Sequence, residues 1–311
     1  MFKNKFKNNQ QMSSIFSPGK LMLTSEYVAV DGALVLAIPT KLGQELFYTE
    51  NDDQKALIFW EAYHQNQLWL KAVIDYKNWT IIETNNSKAS EFILKTLKNV
   101  QNLSDTKLKS DTSYHIKTNL QFPSDFGLGS SSTLMNNLAE WANIDAFTLN
   151  EISLGGSGYD VAVAKEKSAV LYSRFPERVY ETIDFQPSFK DELIFIHLNQ
   201  KQDSREGISH YRSMPTSTEL INDYSELTKM IVNSQNLEEF SNLMTIHEQN
   251  LSDFLKIPTV KDKYFQNCPS FVKSLGAWGG DFVLTSKFGD YIKYFNGLGF
   301  TKIFAWKDLI N

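Results

Sequence analysis

Residues 121–134 read QFPSDFGLGSSSTL, and they limit what this chain can fold into more than any other stretch. A chain with only 15 glycines in 311 residues sets Gly127 and Gly129 beside Ser130, Ser131 and Ser132. The strand-like run SYHIKTNL precedes them, and TLMNNLAEWANI follows with Leu134, Leu138 and Trp141 at helical spacing. Glycine reaches positive φ and lets backbone N–H groups come close to a ligand. Serine caps helix N-termini, and the exposed amides and dipole of a helix N-terminus favour phosphate. The segment therefore reads as a phosphate cradle or as a plain strand-turn-helix joint with a serine cap.

Several familiar motifs are excluded by spacing. Gly19-Lys20 would need glycine at Ser14 and a hydroxyl at Leu21 to be a Walker A loop. A dinucleotide fingerprint starting at Gly127 would need glycine at Ser132, and a nucleophile elbow on Ser157 would need glycine at Tyr159. The five histidines show no HExxH spacing, so no zinc site is expected.

Composition narrows the class. Hydrophobic residues make up 42% and charged residues 22%, the balance of a globular protein with a sizeable core, and 311 residues suit two domains. A net charge of −5 gives no general attraction to nucleic acid or acidic membrane. No apolar run approaches the roughly 20 residues that span a bilayer. The basic start MFKNKFK reads as a solvated tail. With Cys268 the sole cysteine, no internal disulfide can form, and a reducing cytoplasm is expected.

Along the chain, LVLAIPT, GQELFYTE, KALIFWEAYH and QLWLKAVIDY read as strands, and residues 89–102 as a helix with Phe92, Ile93, Leu97 and Val100 on one face. Strands are expected near 168–175, 178–185 and 192–198, then long helices over 216–233 and 236–256. A strand at DFVLTS, a helix in FGDYIKYFNGL and a strand at KIFAWK complete the pattern. Without regular βαβ alternation this is α+β, with domains at 1–188 and 189–311.

Other glycine-bearing segments join the first. SPGKLMLTSEYVAVDGALVLAIP holds Lys20 and Glu26, LGGSGYDVAVA holds Asp160, and VKSLGAWGGDFVLTS holds Gly276, Gly279 and Gly280. Any one could be a turn; their joint occurrence in this order is far more specific. Together they resemble the GHMP kinases, the superfamily of galactokinase and of homoserine, mevalonate and phosphomevalonate kinases. Pro123 to Ser132 resembles its central PxxxGLGSSA/S motif, and Pro18-Gly19-Lys20 with Glu26-Tyr27 resembles its opening segment. Gly156 to Asp160 resembles GSGxD, and residues 276–281, GAWGGD, resemble its closing loop. Three departures stand out. Ser25 and Trp278 replace glycines, and Leu149 stands eleven residues before Asp160 where several relatives carry a magnesium-binding glutamate.

The resemblance implies a two-domain kinase acting on a small-molecule substrate as a monomer or homodimer, with an N-terminal half like ribosomal protein S5 domain 2, a ferredoxin-like C-terminal half, and ATP with Mg²⁺ between them. By the same resemblance Gly127, Leu128, Gly129, Ser130, Ser131 and Ser132 would wrap the ATP phosphates, and Ser131 would ligate Mg²⁺, with Glu151 as the nearest substitute carboxylate. Asp160 would orient or deprotonate the acceptor hydroxyl, with Lys20 beside it stabilising negative charge. Glu26, Ser157, Gly279 and Gly280 would face the substrate. Lys201, Ser204 and Arg205 form a donor set suited to an anionic acceptor or, alternatively, a solvated charge run. GSGYD and the closing GGD look most like phosphomevalonate kinases, with mevalonate kinase next. A diphosphomevalonate decarboxylase and a catalytically weak nucleotide sensor are the competing readings.

Overall fold

A computed structural model describes residues 12–200 and 204–311. The tail MFKNKFK lies outside the described residues, as does Lys201. The first half is built from β1 (Ser13–Met22), β2 (Val35–Asn51), β3 (Leu57–His64), β4 (Gln67–Asp75), β5 (Thr80–Thr84), α1 (Ser87–Leu103) and β6 (Ser113–Leu120). It continues through α2 (Ser130–Ala142), α3 (Ala146–Ser153), α4 (Tyr159–Glu166), β7 (Ala169–Ser173) and β8 (Val179–Ile183). The second half contains β9 (Leu193–His197), α5 (Ser204–Arg212), α6 (Thr218–Val232), α7 (Leu237–Leu255) and α8 (Val260–Tyr264). It ends with β10 (Lys273–Leu275), β11 (Phe282–Ser286), α9 (Tyr291–Gly297), β12 (Ile303–Ala305) and α10 (Trp306–Leu309).

The strands of the first half form one sheet in the order β5-β4-β3-β6-β2-β7-β8, with β1 also on β2. Only β3 and β6 run parallel in it. The second sheet, β10-β11-β9-β12, is antiparallel. The change of sheet falls between Ile183 and Leu193.

Two strands read separately from the sequence are one. LVLAIPT and GQELFYTE merge into β2, which pairs β7 through Val35–Ala37 and β6 through Gln44–Asn51. Pro39, which has no N–H to donate, sits between those two ladders, where a missing donor is tolerated. α1 begins where the Asn86 side chain accepts from the Ala89 N–H. Ile93, Leu97 and Val100 are buried in the core, whereas Phe92 lies at the exposed margin of that face.

One apolar core fills the space between the large sheet and α1–α4. A second joins the halves, with Leu21, Leu36, Phe122, Phe126 and Leu128 meeting Phe195, Phe240 and Phe282. The Phe126 ring lies tilted against His197 at 4.5 Å and meets Phe282 edge-on at 5.4 Å. Burying one such side chain contributes roughly 1.5–3 kcal/mol, so the 121–129 segment is anchored by its apolar residues. Its glycines remain to shape the turn. Among the described residues, no helix is long and apolar enough to cross a membrane.

Candidate active site

The 121–134 segment leaves β6, turns through Gly127 (φ +68) and Gly129 (φ +83), and enters α2 at Ser130. Neither glycine is replaceable in place. A Cβ on Gly127 would lie 2.1 Å from Asp281 Oδ2, and one on Gly129 would lie 2.9 Å from Ser132 Oγ and 3.3 Å from the Lys20 side chain. The Ser132 hydroxyl is spent on the loop, donating to the Gly129 carbonyl at 2.9 Å. Leu128 is buried, so that residue offers backbone rather than side chain.

Lys20 arrives from β1 just after a bulge between Pro18 and Lys20. Its backbone N–H donates to Leu128 O at 3.0 Å, and its Nζ donates to Gly127 O at 2.9 Å. The ammonium also lies 5.6 Å from the centre of the Tyr159 ring. Burial pulls its pKa down, but Tyr159, Asp160 and Asp281 around it outweigh burial and raise it above the ordinary 10.5. Lys20 therefore stays a cation.

Asp160 is half-buried in the first turn of α4, directly after Gly158 (φ +93). One carboxylate oxygen accepts from the Val161 N–H at 3.0 Å. Ser157 is held by its carbonyl, which accepts from the Tyr172 hydroxyl at 2.5 Å. Lys20, Gly127 to Ser132, Ser157 and Asp160 all line one cavity of about 320 Å³. Its remaining wall includes Tyr27, Val30 and Ile208, with Gly276, Ala277 and Asp281 from the second half. That volume is at the low end of small-ligand pockets.

Other expected residues are elsewhere. Glu26 does not line this cavity: it is buried in an ion cluster, 2.7 Å from Lys273 Nζ and 3.7 Å from His247 Nε2. Its carboxyl pKa is raised by burial, against the pull of Lys273. Glu151 points to solvent on α3, 3.8 Å from Arg178, so it does not replace the carboxylate missing at the buried Leu149. Gly279 and Gly280 are off the cavity wall because the loop turns at Gly276 and Gly279 and folds back. The Gly279 N–H reaches Ser274 Oγ, and Gly280 N–H donates to Ala277 O at 3.2 Å. Trp278 does not line the cavity; it is buried in an apolar cluster with Tyr27 and Tyr211. Ser204 and Arg205 open α5, the helix that brings Ile208 to the wall.

Sequence reasoning assigned no role to Tyr27, Tyr159 or Asp281. Two signals were present: Tyr159 stands inside GSGYD, and Asp281 closes GAWGGD. A second cavity of about 260 Å³ shares Ser124, Ser130 and Ser131 with the first. Aromatic groups line it, including Trp60, Tyr63 and the stacked pair His64 and Trp69, 4.8 Å apart. Among the described residues, the buried Trp60 indole N–H has no hydrogen-bond partner.

No family model and no curated protein matches the sequence. Solved structures are similar over nearly the whole chain. The Methanococcus jannaschii mevalonate kinase is 16% identical, covers 96% of this chain and 98% of its own, and has a TM-score of 0.67. Streptococcus pneumoniae phosphomevalonate kinase, in complex with phosphomevalonate and AMPPNP, is 16% identical over 94% of this chain and 99% of its own, TM-score 0.67. Lactococcus lactis galactokinase, complexed with galactose, is 13% identical over 94% and 90%, TM-score 0.68. The chain has the fold these GHMP kinases share.

Proposed function

We propose that this chain, built on the GHMP kinase fold, is an ATP-dependent small-molecule kinase. It transfers the terminal phosphoryl group to a small anionic metabolite, phosphomevalonate in the first place and mevalonate in the second. Its halves, 1–188 and 189–311, act as an S5 domain 2-like nucleotide-binding domain and a ferredoxin-like domain. The observation that carries the reading is that Lys20, Ser131 and Asp160, remote in sequence, line one cavity around a glycine cradle.

Phosphoryl transfer asks a protein mainly for positioning and charge neutralisation. The backbone amides of Gly127 to Ser131 and the N-terminus of α2 suit the phosphates of ATP. The aromatic cavity beyond Ser130 and Ser131 suits the base. Lys20 faces the negative charge that builds up on the transferred group. Asp160 orients the acceptor hydroxyl and takes its proton as the new O–P bond forms. The bond from the terminal phosphorus to the bridging oxygen breaks, and ADP leaves with that electron pair. A phosphate acceptor needs no proton removed, and Asp160 then only orients it.

Mg²⁺ takes oxygen ligands and needs few from the protein. The donors on this wall fit it: the Ser131 hydroxyl and the carboxylates of Asp160 and Asp281. Bound with ATP, Mg²⁺ would neutralise phosphate charge.

The test is to incubate the purified protein with MgATP and mevalonate, phosphomevalonate or diphosphomevalonate in turn. ADP release with one acceptor, lost in Asp160→Asn, supports the kinase. Nucleotide binding without turnover on any acceptor refutes it in favour of a sensor, and carbon dioxide release identifies a decarboxylase.

A further inference from the structure

Three consecutive residues of the first half are each tied to a different element of the second. The Ser25 N–H donates to His247 Nε2 on α7 at 2.8 Å. Glu26 Oε1 accepts from Lys273 Nζ, at the head of β10, at 2.7 Å. The Tyr27 hydroxyl accepts from the Trp278 N–H at 2.7 Å. The side chains of Glu26, His247 and Lys273 are fully buried.

We propose that Glu26 and Lys273 are positioning residues, a buried pair that sets the spacing between two walls of the cavity. Tyr27, directly after Glu26, forms one wall. The other is the loop from Ser274 to Asp281, and the cluster grips that loop at its base. Lys273 Nζ donates to the Ser274 carbonyl at 2.5 Å, and the Ser274 N–H donates to Glu248 Oε2 at 3.1 Å. Through Glu26 on one side and the Ser274 carbonyl on the other, the ammonium links both walls, and it also lies 3.4 Å from Glu248.

A buried ion pair is weak evidence for stability, since apolar residues of similar shape often serve as well or better. Its directional bonds do define register, and a reaction that depends on position is sensitive to register. The nucleotide cradle has an anchor that does not pass through this pair, Phe122 and Phe126 in the apolar core, although Gly127 also rests against Asp281. Loosening the pair therefore disturbs the acceptor end first. The kinetic part of this inference rests on the kinase reading; the structural part does not.

The experiment compares Glu26→Gln, Lys273→Met and the double variant in the full chain, with 3-fluorotyrosine placed at position 27. In the wild type, Tyr27 should give a single narrow fluorine resonance. Each single variant should shift or split it. The acceptor kcat/KM should fall on the order of 10–100-fold while KM for MgATP stays within about twofold. The double variant should lose no more than the worse single one, because the two residues act as a unit. Unchanged resonances in both single variants, strictly additive losses, or equal losses on acceptor and MgATP would each overturn the proposal. If Lys273→Met does not fold, Glu26→Asp keeps the charge but draws it back by one methylene, and it is read the same way. If the wild type phosphorylates no acceptor, the kinase reading fails, and the fluorine spectra alone decide this one.

Discussion

Lys20 Nζ donates a hydrogen bond to the carbonyl of Gly127, 2.9 Å away and 107 residues further along the chain. This contact joins the end of a strand to the turn of a glycine loop and puts a lasting positive charge beside it. Lys20→Met should lower kcat by about 10²–10³-fold, the usual cost of removing one donor from developing charge. Because its pKa is raised above 10.5, the ammonium keeps its charge throughout the neutral range. Its contribution is lost only as pH rises through that raised value. A pH–rate profile should therefore show no limb from Lys20 below about pH 10. An alkaline limb near neutrality that disappears in Lys20→Arg would contradict this.

Gly127 and Gly156 both have positive φ, yet they differ in their surroundings. A Cβ on Gly127 meets the Asp281 carboxylate at 2.1 Å, whereas one on Gly156 meets nothing within 4 Å. Gly156→Ala should cost only left-handed backbone strain, about 1–2 kcal/mol. Gly127→Ala adds overpacking of about 1–3 kcal/mol and moves the loop, so nucleotide binding should go with it. Urea unfolding and nucleotide titration of the two variants check the difference; equal behaviour would refute it.

Ser25 holds φ +64 where the resemblance leads one to expect glycine. Its hydroxyl offsets the strain by donating to Leu34 O at 2.7 Å in a buried setting. Ser25→Gly loses that bond but relieves the strain, while Ser25→Ala loses the bond and keeps the strain. Alanine should thus be the less stable variant by about 1–2 kcal/mol. Thermal unfolding of the pair decides, and an alanine variant more stable than the glycine one would show that the left-handed backbone at position 25 carries no strain.

Glu248 gives the buried cluster a pH signature. Burial first, and then Glu26 nearby, push its pKa from the ordinary 4.5 up to about 7 against the opposing pull of Lys273. The unfolded chain releases this proton first, so stability present below pH 4.5 is lost as pH rises through about 7. His247, held neutral by burial and by Lys273, contributes in the opposite direction. Subtracting the Glu248→Gln profile from the wild type removes the terms the two proteins share. The variant should gain on the wild type by on the order of 1–3 kcal/mol across that window in urea unfolding. A flat difference would remove Glu248 from the account.

Much of the molecule is legible in local pattern. α1, α6 and α7 follow from apolar spacing and from polar caps at Asn86, Ser217 and Asn236, interactions that span a few residues. The turn at Gly127 and Gly129 follows from a backbone that only glycine adopts cheaply. The union of two expected strands into β2 was not legible, because Pro39 is harmless only where β7 and β6 exchange places beside it.

Sequence alone therefore determined which residues could shape a glycine cradle, and its motifs, through their resemblance, put Lys20 and Asp160 with it. Tertiary structure alone decided which carboxylates reach the cavity. Glu26 was drawn into the interior by Lys273, 247 residues away, and Glu151 was left in solvent beside Arg178. The physical reason is range: conformational preference and capping act within a turn, whereas the fate of a charge depends on whatever distant group desolvates or pairs it.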